Sequence, residues 1–308
     1  MTSTAADYTL SIVIPMYNEE QGALECVKQV KAILDKMQCK QEIIFVNDGS
    51  HDRTLEILVE QKEKDASIRV IDLSRNFGHQ AAITAGLDHA TGDAVVVIDG
   101  DLQDPPELFP TMVAKWQEGY EIVHARRKKR LGISAFADLR AKVFYRLMKN
   151  ISTIDIPVDV GDFRLISARV AADLKAMREQ HRYVRGLATW VGYKQTIVEY
   201  ERHKRYAGVP QYTLGKLINL CLAGITSFSK TPLRLGIYLG MLCVVAGLSL
   251  GAVTIIFPAK LVAWSPAVMT IYFVGGLQLV CIGLLGEYLY LVLEQTRNRP
   301  LYLIRKEY

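Results

Sequence analysis

Short apolar runs alternate with longer amphipathic segments between Tyr8 and His124. The runs are rich in Val and Ile and predict strands, whereas the amphipathic segments have helical spacing. This β-α-β-α order predicts an α/β fold with a mostly parallel sheet covered by helices on both faces. The predicted strands are 8–15, 42–46, 68–73, 93–98 and 121–124, and the predicted helices are 20–37, 52–64, 79–90 and 106–118.

Polar motifs stand where three of these strands end. Tyr17-Asn18-Glu19 follows the first strand, Asn47-Asp48-Gly49-Ser50 the second and Asp99-Gly100-Asp101 the fourth. Open parallel sheets bind ligands beyond the carboxyl ends of their strands, so we expect the three motifs to share one edge. Alternating carboxylates suit a hard divalent cation that also binds substrate phosphates. A turn with Asx hydrogen bonds is the alternative for the acidic motif.

Two uncharged segments near the carboxyl end are long enough to cross a bilayer. Leu235–Phe257 has 23 residues and Leu261–Gly286 has 26, and a span needs roughly 20. We therefore expect a two-helix transmembrane hairpin, with helices at about 235–257 and 265–291. Two buried core helices are the alternative, but core helices of this length normally carry a polar stripe.

Basic residues lie outside this hairpin at both of its ends. Lys and Arg precede the first span at 230 and 234 and follow the second at 297, 299, 305 and 306. The positive-inside rule then places both termini in the cytoplasm, with a short C-terminal tail. Residues 201–234 predict a basic amphipathic segment in the headgroup region, with a core helix as the alternative.

Composition narrows the class of protein. The 308 residues are 50% hydrophobic and 22% charged, which suits a soluble domain joined to a membrane part. The start of the chain predicts no signal peptide, and the five cysteines lack disulfide or metal-ligand spacing. They fit a reducing compartment. The basic run at 126–130 suits a solvated surface or phosphate contacts, and we expect no nucleic-acid partner.

Five motifs together resemble family 2 glycosyltransferases of the GT-A fold. Leu10–Glu20, Val46–Ser50 and Leu73–Gly78 resemble the family as a whole. Asp99–Pro106 and Gly161–Leu165 resemble its polyprenyl-phosphate branch, which includes dolichol-phosphate mannose synthases and bacterial undecaprenyl-phosphate glucosyltransferases. The resemblance covers essentially the whole chain. It implies a cytoplasmic GT-A (Rossmann-like) catalytic domain over 1–200, the interfacial segment over 201–234 and the membrane hairpin with its tail over 235–308.

The resemblance implies inverting transfer of one hexose from a nucleotide sugar to undecaprenyl phosphate at the inner-membrane face of a bacterium. UDP-glucose is the expected donor, Mg²⁺ or Mn²⁺ the expected cofactor, and cell-envelope (lipopolysaccharide) glycosylation the expected use. GDP-mannose, UDP-N-acetylglucosamine and a UDP-aminoarabinose derivative are alternative donors. A non-catalytic nucleotide-sugar-binding membrane scaffold is the alternative function. Glycines spaced four apart in the first span suit self-association as a homo-oligomer or packing within the hairpin.

The resemblance also implies roles for individual residues. Asp99 and Asp101 are expected to bind the metal, and Asp101 and Asp162 to be catalytic. A phosphate monoester has its second pKa near 6 and is mostly a dianion at neutral pH, so Asp162 acts either as a base or as an orienting group. Arg164 contacts a phosphate or pairs with Asp162, and His79 is expected to be structural. The donor nucleotide is assigned to Pro15, Tyr17, Glu19, Asp48, Arg75 and Asp99, and the sugar or acceptor to Gln103, Asp104, Arg164, Arg202 and Arg205.

Overall fold

The computed structural model describes residues 8–128, 160–180, 182–202, 238–242, 245 and 264–308. Their contacts separate into two units, one with the sheet and residues 300–308, and one with a long helix near the carboxyl end. Residues 238–242 and 245, inside the first predicted span, are helical. The rest of that span, the basic amphipathic segment after Arg202, and Arg205 itself lie outside the described residues.

One eight-stranded sheet forms the centre of the first unit, in the order β7-β5-β6-β4-β1-β2-β3-β8. Parallel pairing joins β4, β1, β2 and β3, and also β5 and β7. Only β6 and β8 run against the other strands. The strands are β1 (Thr9–Met16), β2 (Lys40–Asn47), β3 (Ile68–Leu73), β4 (Ala94–Val97), β5 (Ile122–Arg127), β6 (Val160–Ser167), β7 (Gln195–Tyr200) and β8 (Ile304–Glu307).

Helices connect and cover these strands, which confirms the predicted α/β fold with a largely parallel sheet. Every element predicted between Tyr8 and His124 is present, with ends that differ by a few residues. A 3₁₀ turn at Pro106–Leu108 begins the fourth predicted helix. The helices of this unit are α1 (Ala23–Leu34), α2 (Thr54–Lys64), α3 (His79–His89), α4 (Phe109–Gln117), α5 (Ala168–Ala176) and α6 (Val184–Trp190).

The central strands are buried because they carry apolar residues on both faces. Ile12, Val13 and Ile14 of β1 are fully buried, and each side chain of this size stabilises the fold by about 1.5–3 kcal/mol. Helix α3 packs tightly on β1 at Gly86, where a Cβ would lie 2.2 Å from Cγ1 of Val13. This close contact fixes the axis of α3 and therefore the position of its first residue, His79.

The C-terminal residues belong to the sheet. The sequence predicts only a short tail after the last span, but β8 pairs antiparallel with β3 and forms the outer strand at that edge. Tyr308 packs against the hydrophobic core. Local sequence could not predict this strand, because Arg305, Lys306 and Glu307 make it strongly polar.

The second unit contains α7 (Trp264–Arg297), a helix of 34 residues that overlaps the predicted second span. Within it, Phe273–Arg297 has 25 residues, and its most apolar 18-residue stretch has a mean hydropathy of 1.7. At 1.5 Å per residue it is roughly 37 Å long, enough for a hydrocarbon core of roughly 30 Å. Ile271 and Leu279 are each 71% exposed, so α7 is no buried core helix within the described residues. It is the single candidate span there, and the hairpin stays a prediction.

His124 of β5 makes the stability of the fold sensitive to mild acid. The side chain is fully buried, and its Nε2 donates to Oε1 of Gln195 at 3.0 Å. Burial, and then the nearby Arg164, lower the pKa of His124 from 6.5 to about 4. Between these pH values His124 is protonated in the unfolded chain but neutral in the folded protein. The free energy of unfolding therefore falls as the pH decreases from 6.5 to 4.

We therefore expect His124→Phe to remove a pH-dependent component of about 3 kcal/mol from the free energy of unfolding between pH 6.5 and 4. Urea unfolding of the detergent-solubilised protein at several pH values measures it, as the difference between wild type and variant. A constant difference across this range would contradict a neutral, buried imidazole.

Candidate active site

The register of β6 against β4 brings two distant motifs to the same edge of the sheet. Val97, the last residue of β4, lies opposite Arg164. Because β6 runs antiparallel, Asp162 lies beyond the carboxyl end of β4, where Asp99 follows that strand. The ends of β1, β2 and β3 are at the same edge, since these strands run parallel to β4. The predicted gathering of strand-end motifs is therefore present.

Asp48 joins the loop after β2 to the loop after β3. Its two carboxylate oxygens accept hydrogen bonds from the backbone N–H groups of Phe77, at 2.8 Å, and Gly78, at 3.0 Å. Burial raises the pKa of Asp48, although these two amides, His79 and Arg75 oppose the shift. The carboxylate thus holds the 74–78 loop in place beside the strand ends.

Arg75 lies on this second loop. Its guanidinium stacks on the ring of Phe77, 4.1 Å from the ring centroid, and donates to the carbonyl oxygen of Asn76 at 3.0 Å. These contacts hold the cation near Asp48, in the region where the sequence places the donor nucleotide.

The loop after β1 is hydrogen-bonded to the loop after β2. The backbone N–H of Asn18 donates to Oγ of Ser50 at 3.0 Å, and His51 N–H donates to Oδ1 of Asn18 at 2.9 Å. Asn18 has a φ of 52°, a left-handed conformation that Asn tolerates. Pro15 lies opposite Val46 in the parallel pair of strands. The predicted donor residues Tyr17, Glu19 and Asp48 are therefore on two loops that are directly connected, and Pro15 lies at the end of β1 just before the first of them.

Gly49 allows the 47–50 and 74–78 loops to touch. Its φ is +67°, and an added Cβ would lie 2.4 Å from the carbonyl carbon of Arg75. Gly49→Ala should push the loops apart and strain the backbone by about 1–3 kcal/mol. We expect at least about tenfold weaker nucleotide binding, since 1.4 kcal/mol corresponds to tenfold in affinity. Titration with a nucleoside diphosphate measures this change.

Gly119→Ala is the matched control for that variant. Gly119 also has a positive φ, of +90°, but no atom lies within 4 Å of its added Cβ. The Gly119→Ala variant therefore has a similar backbone strain but lacks the steric clash that Gly49→Ala creates. Equal affinity losses in the two variants would contradict the importance of loop contact.

The acidic segment after β4 presents Asp99 and Asp101 differently. Oδ1 of Asp99 is buried and has no hydrogen-bond partner among the described residues; Nε2 of His79 lies 3.4 Å away. Burial raises the pKa of Asp99 to about 6. Asp101 forms an Asx turn, since its Oδ1 accepts from Gln103 N–H at 3.1 Å. Its Oδ2 takes no part in the turn and lies 3.9 Å from a guanidinium nitrogen of Arg202.

Asp104 connects the acidic segment to β5 and β7. The hydroxyl of Tyr200 donates to its Oδ1, which lies 3.6 Å from Arg127 and 3.9 Å from Arg202. Burial raises the pKa of Asp104, although Tyr200 and the two arginines oppose the shift. Asp104 and Gln103 thus lie near Asp101, and their contact with the sugar or acceptor stays a prediction. The sequence did not indicate Tyr200, because β7 carries no recognised motif, and it indicated Arg127 only as part of the basic run 126–130.

Asp162 is surrounded by cations. Its Oδ1 accepts from Arg164 at 3.0 Å, and its Oδ2 lies 3.3 Å from Nε2 of His79 and 3.5 Å from Arg185. Burial would raise the pKa of Asp162, but His79, Arg185 and Arg164 outweigh burial and hold this pKa well below its ordinary range. Asp162 is therefore a fixed negative charge and a weak proton acceptor.

Arg164 is buried, with 1% of its surface exposed. Besides Asp162 it binds two backbone oxygens, donating from Nε to the Asp162 carbonyl at 3.1 Å and from a terminal nitrogen to the Gly161 carbonyl at 3.0 Å. Of the two alternatives from the sequence, the ion pair with Asp162 is present, and the phosphate contact stays a prediction. Arg164 supports β6 from inside the protein.

His79 has a larger part in the site than the sequence indicated. It was expected to be structural, but its Nε2 lies between Asp99 and Asp162. Burial lowers its pKa, yet Asp162 and Asp99 outweigh burial and raise the pKa to about 9. The neighbouring Gln80 donates to Asp162 at 3.3 Å and accepts from Val184 N–H at 3.0 Å. The available signal was the position of both residues directly after the Asn76-Phe77-Gly78 motif.

The oxygens of this site fit a hard divalent cation shared with a phosphorylated ligand. Oδ1 of Asp99 and Oδ2 of Asp104 are buried without hydrogen-bond partners in the described part of the chain. Across that same part, His, Cys, Asp and Glu side chains form no group of three that could hold a metal ion. A cation bound by one or two of these carboxylates would take its remaining ligands from phosphate oxygens and water.

The fold and site define the class: an α/β protein with a cluster of carboxylates and cations beyond the carboxyl ends of its parallel strands, the place where such sheets bind ligands. Residues 11–175 match the family model described as glycosyl transferase family 2. Glycosyltransferase YkcC of Bacillus subtilis is 45% identical over 97% of this chain and 94% of its own length. The chain belongs to glycosyl transferase family 2 and is a glycosyltransferase.

Two further relatives have more specific names. A prophage-derived bactoprenol glucosyl transferase of Shigella flexneri is 39% identical over 97% of this chain and 98% of its own length. A prophage bactoprenol glucosyl transferase homologue of Escherichia coli is 40% identical over 96% of this chain and 98% of its own. This similarity extends past the family domain into the apolar C-terminal region.

Proposed function

We propose that this glycosyltransferase moves one glucose from UDP-glucose to undecaprenyl phosphate, with inversion at the anomeric carbon. The observation that carries the proposal is the similarity to bactoprenol glucosyl transferases over nearly the whole chain. The cluster of Asp99, Asp101 and Asp162 at one sheet edge supports it, because it suits a diphosphate-bearing donor. The apolar helix α7 supports a lipid acceptor.

The leaving diphosphate develops negative charge as the glycosidic bond breaks. Asp99 and Asp101 would hold Mg²⁺ or Mn²⁺ beside it, and the ion, when bound, supplies Lewis-acid neutralisation of that charge. Arg202 lies next to Asp101 and provides a second cation at this position. An acceptor phosphate oxygen attacks the anomeric carbon, and the bond from that carbon to the diphosphate oxygen breaks. The nucleoside diphosphate leaves, and the product is a polyprenyl-phosphate sugar.

Asp162 orients groups in this reaction instead of removing a proton. The acceptor is mostly a dianion at neutral pH, and Asp162 is paired with His79, Arg164 and Arg185. This arrangement fixes Asp162 next to Asp99 and holds the positive charges of His79 and Arg185 at the strand ends.

The proposal also covers the location of the protein in the cell and its topology in the membrane. The protein is a multi-pass protein of the bacterial inner membrane, with the catalytic domain and both termini in the cytoplasm. The product serves cell-envelope glycosylation, including that of lipopolysaccharide. Support comes from the uncharged segments 235–257 and 261–286, and from the basic residues that flank them. We also propose that the protein forms a homo-oligomer through the glycines of the first span.

A lipid-extraction assay tests the function. The full-length protein in detergent is incubated with undecaprenyl phosphate, Mg²⁺ or Mn²⁺, and radiolabelled UDP-glucose, GDP-mannose, UDP-N-acetylglucosamine or a UDP-aminoarabinose derivative. We expect label in the lipid phase with UDP-glucose. Lipid label from another donor would overturn the donor assignment alone. Nucleotide binding without lipid label from any donor would overturn catalysis and favour the scaffold alternative.

A further inference from the structure

The C-terminal strand contacts the donor-binding loops through one side chain. We propose that Arg305 is a positioning residue for nucleotide-sugar binding, acting through Asp72 and Asn47 on the loop that carries Asp48. The inference rests on the proposed function insofar as that loop binds the donor nucleotide. It assigns a role in the active site to the last residues of the chain.

Arg305 bridges two groups of β3 and the loop that follows it. One terminal nitrogen of its guanidinium donates to Oδ2 of Asp72 at 3.3 Å, and the other donates to the carbonyl oxygen of Ser74 at 2.7 Å. Asp72 is 1% exposed, so its carboxylate has little water to replace a missing partner. The bridge therefore fixes Asp72 relative to the start of the 74–78 loop.

Asp72 in turn fixes the start of the loop after β2 through a hydrogen bond to Asn47. Its Oδ1 accepts from Nδ2 of Asn47 at 2.7 Å, inside the protein. The Asn47 amide is thereby oriented with its oxygen toward Ser50, whose backbone N–H donates to Oδ1 of Asn47 at 3.3 Å. This closes the 47–50 turn that presents Asp48. Oγ of Ser50 in turn accepts from Asn18 N–H at 3.0 Å, so the chain of contacts reaches the loop after β1.

Backbone contacts of the tail reinforce the same region. Ser74 N–H donates to the carbonyl oxygen of Leu303 at 2.8 Å, so the tail holds Ser74 on both its N–H and its C=O. The following residues contact Gly49 and supply the two amides that bind Asp48. The pairing of β3 with β8 also changes register between Asp72 and Leu73. The tail is thus attached at the end of β3, where the 74–78 loop begins.

Other residues of the tail hold it to α3 and β3, away from the donor loops. The hydroxyl of Tyr302 donates to Asp88 at 2.7 Å, and Glu307 lies 3.3 Å from His89 and 3.7 Å from Arg69. Removal of the Arg305 side chain should therefore leave β8 in place. Lys306 provides the matched control, since its ammonium group lies over the ring of Tyr308, 4.2 Å from the centroid.

The test measures UDP binding by calorimetry with Mg²⁺ present, and donor KM and kcat with undecaprenyl phosphate, on the full-length protein. Arg305→Ala should weaken UDP binding and raise the donor KM about fivefold, the upper end expected for an ion pair whose arginine is exposed, while kcat changes less than about twofold. Arg305→Lys keeps the charge but not the two-pronged bridge and should recover part of the loss. Asp72→Asn should act in the same direction as Arg305→Ala, and Lys306→Ala should match the wild type.

The outcomes separate this inference from the proposed function. Equal UDP affinities for Arg305→Ala and Lys306→Ala overturn the inference, as does a loss confined to kcat or a wild type that binds no UDP. Hydrogen exchange should increase at residues 74–78 in Arg305→Ala alone, and unchanged exchange there also overturns it. A wild type that binds UDP but makes no lipid-linked sugar overturns the proposed function and leaves the binding comparison valid.

Discussion

Asp101→Asn should reduce sugar transfer by at least about 100-fold, the usual size of the loss of a group that stabilises transition-state charge. Asn keeps the oxygen that accepts from Gln103 N–H, so the Asx turn and the fold should survive. It removes the negative charge that would hold a divalent cation beside the donor diphosphate. The loss should therefore appear in kcat and in the metal concentration needed for activity.

Initial rates over a range of Mn²⁺ and Mg²⁺ concentrations measure this effect, with EDTA treatment of the wild type for comparison. Chelation should abolish wild-type activity, and added metal should restore it. Glu107→Gln is the matched control, because Glu107 is an exposed carboxylate of the same acidic segment. Near wild-type turnover of Asp101→Asn would contradict a metal held by Asp101. Full wild-type activity after EDTA treatment would contradict any metal requirement.

Much of the site could be predicted because buried parallel strands leave a clear sequence pattern. Fully apolar runs such as Val95–Ile98 identify the strands, and a change to polar residues then marks where each ends. The common direction of the strands brings Asp48 and Asp99 to one edge. Neither conclusion requires knowledge of contacts between distant residues.

The parts that were missed depend on such distant contacts. Every residue of β6 is buried, including Asp162 and Arg164, and these charges are compensated by their mutual ion pair and by His79 and Arg185 from other elements. His79 gains its role because α3 packs on β1 and directs its first turn at Asp99 and Asp162. β8 consists mainly of charged residues whose partners are more than 200 positions away in the chain. Local patterns carry no information on these pairings.

Asp162→Asn should reduce sugar transfer at least about 100-fold and also destabilise the sheet unit. Removing one partner of a buried ion pair usually lowers the free energy of unfolding by about 3–5 kcal/mol, and here Arg164, Arg185 and His79 all lose their counter-charge. The pKa of Asp162 is depressed in the folded protein. Its contribution to stability is therefore complete well above pH 4 and is lost as the pH falls below that value.

The pH dependence of the remaining activity separates an orienting role from a base. Protonation of the acceptor phosphate produces an acidic limb near pH 6 in the wild type, and the same limb should persist in Asp162→Asn at a much lower rate. Glu42→Gln is the control, because Glu42 also pairs with an arginine, Arg69 at 2.8 Å, but lies near the amino end of β2. It should lose stability and keep its turnover. Disappearance of the acidic limb in Asp162→Asn alone would instead identify Asp162 as the base.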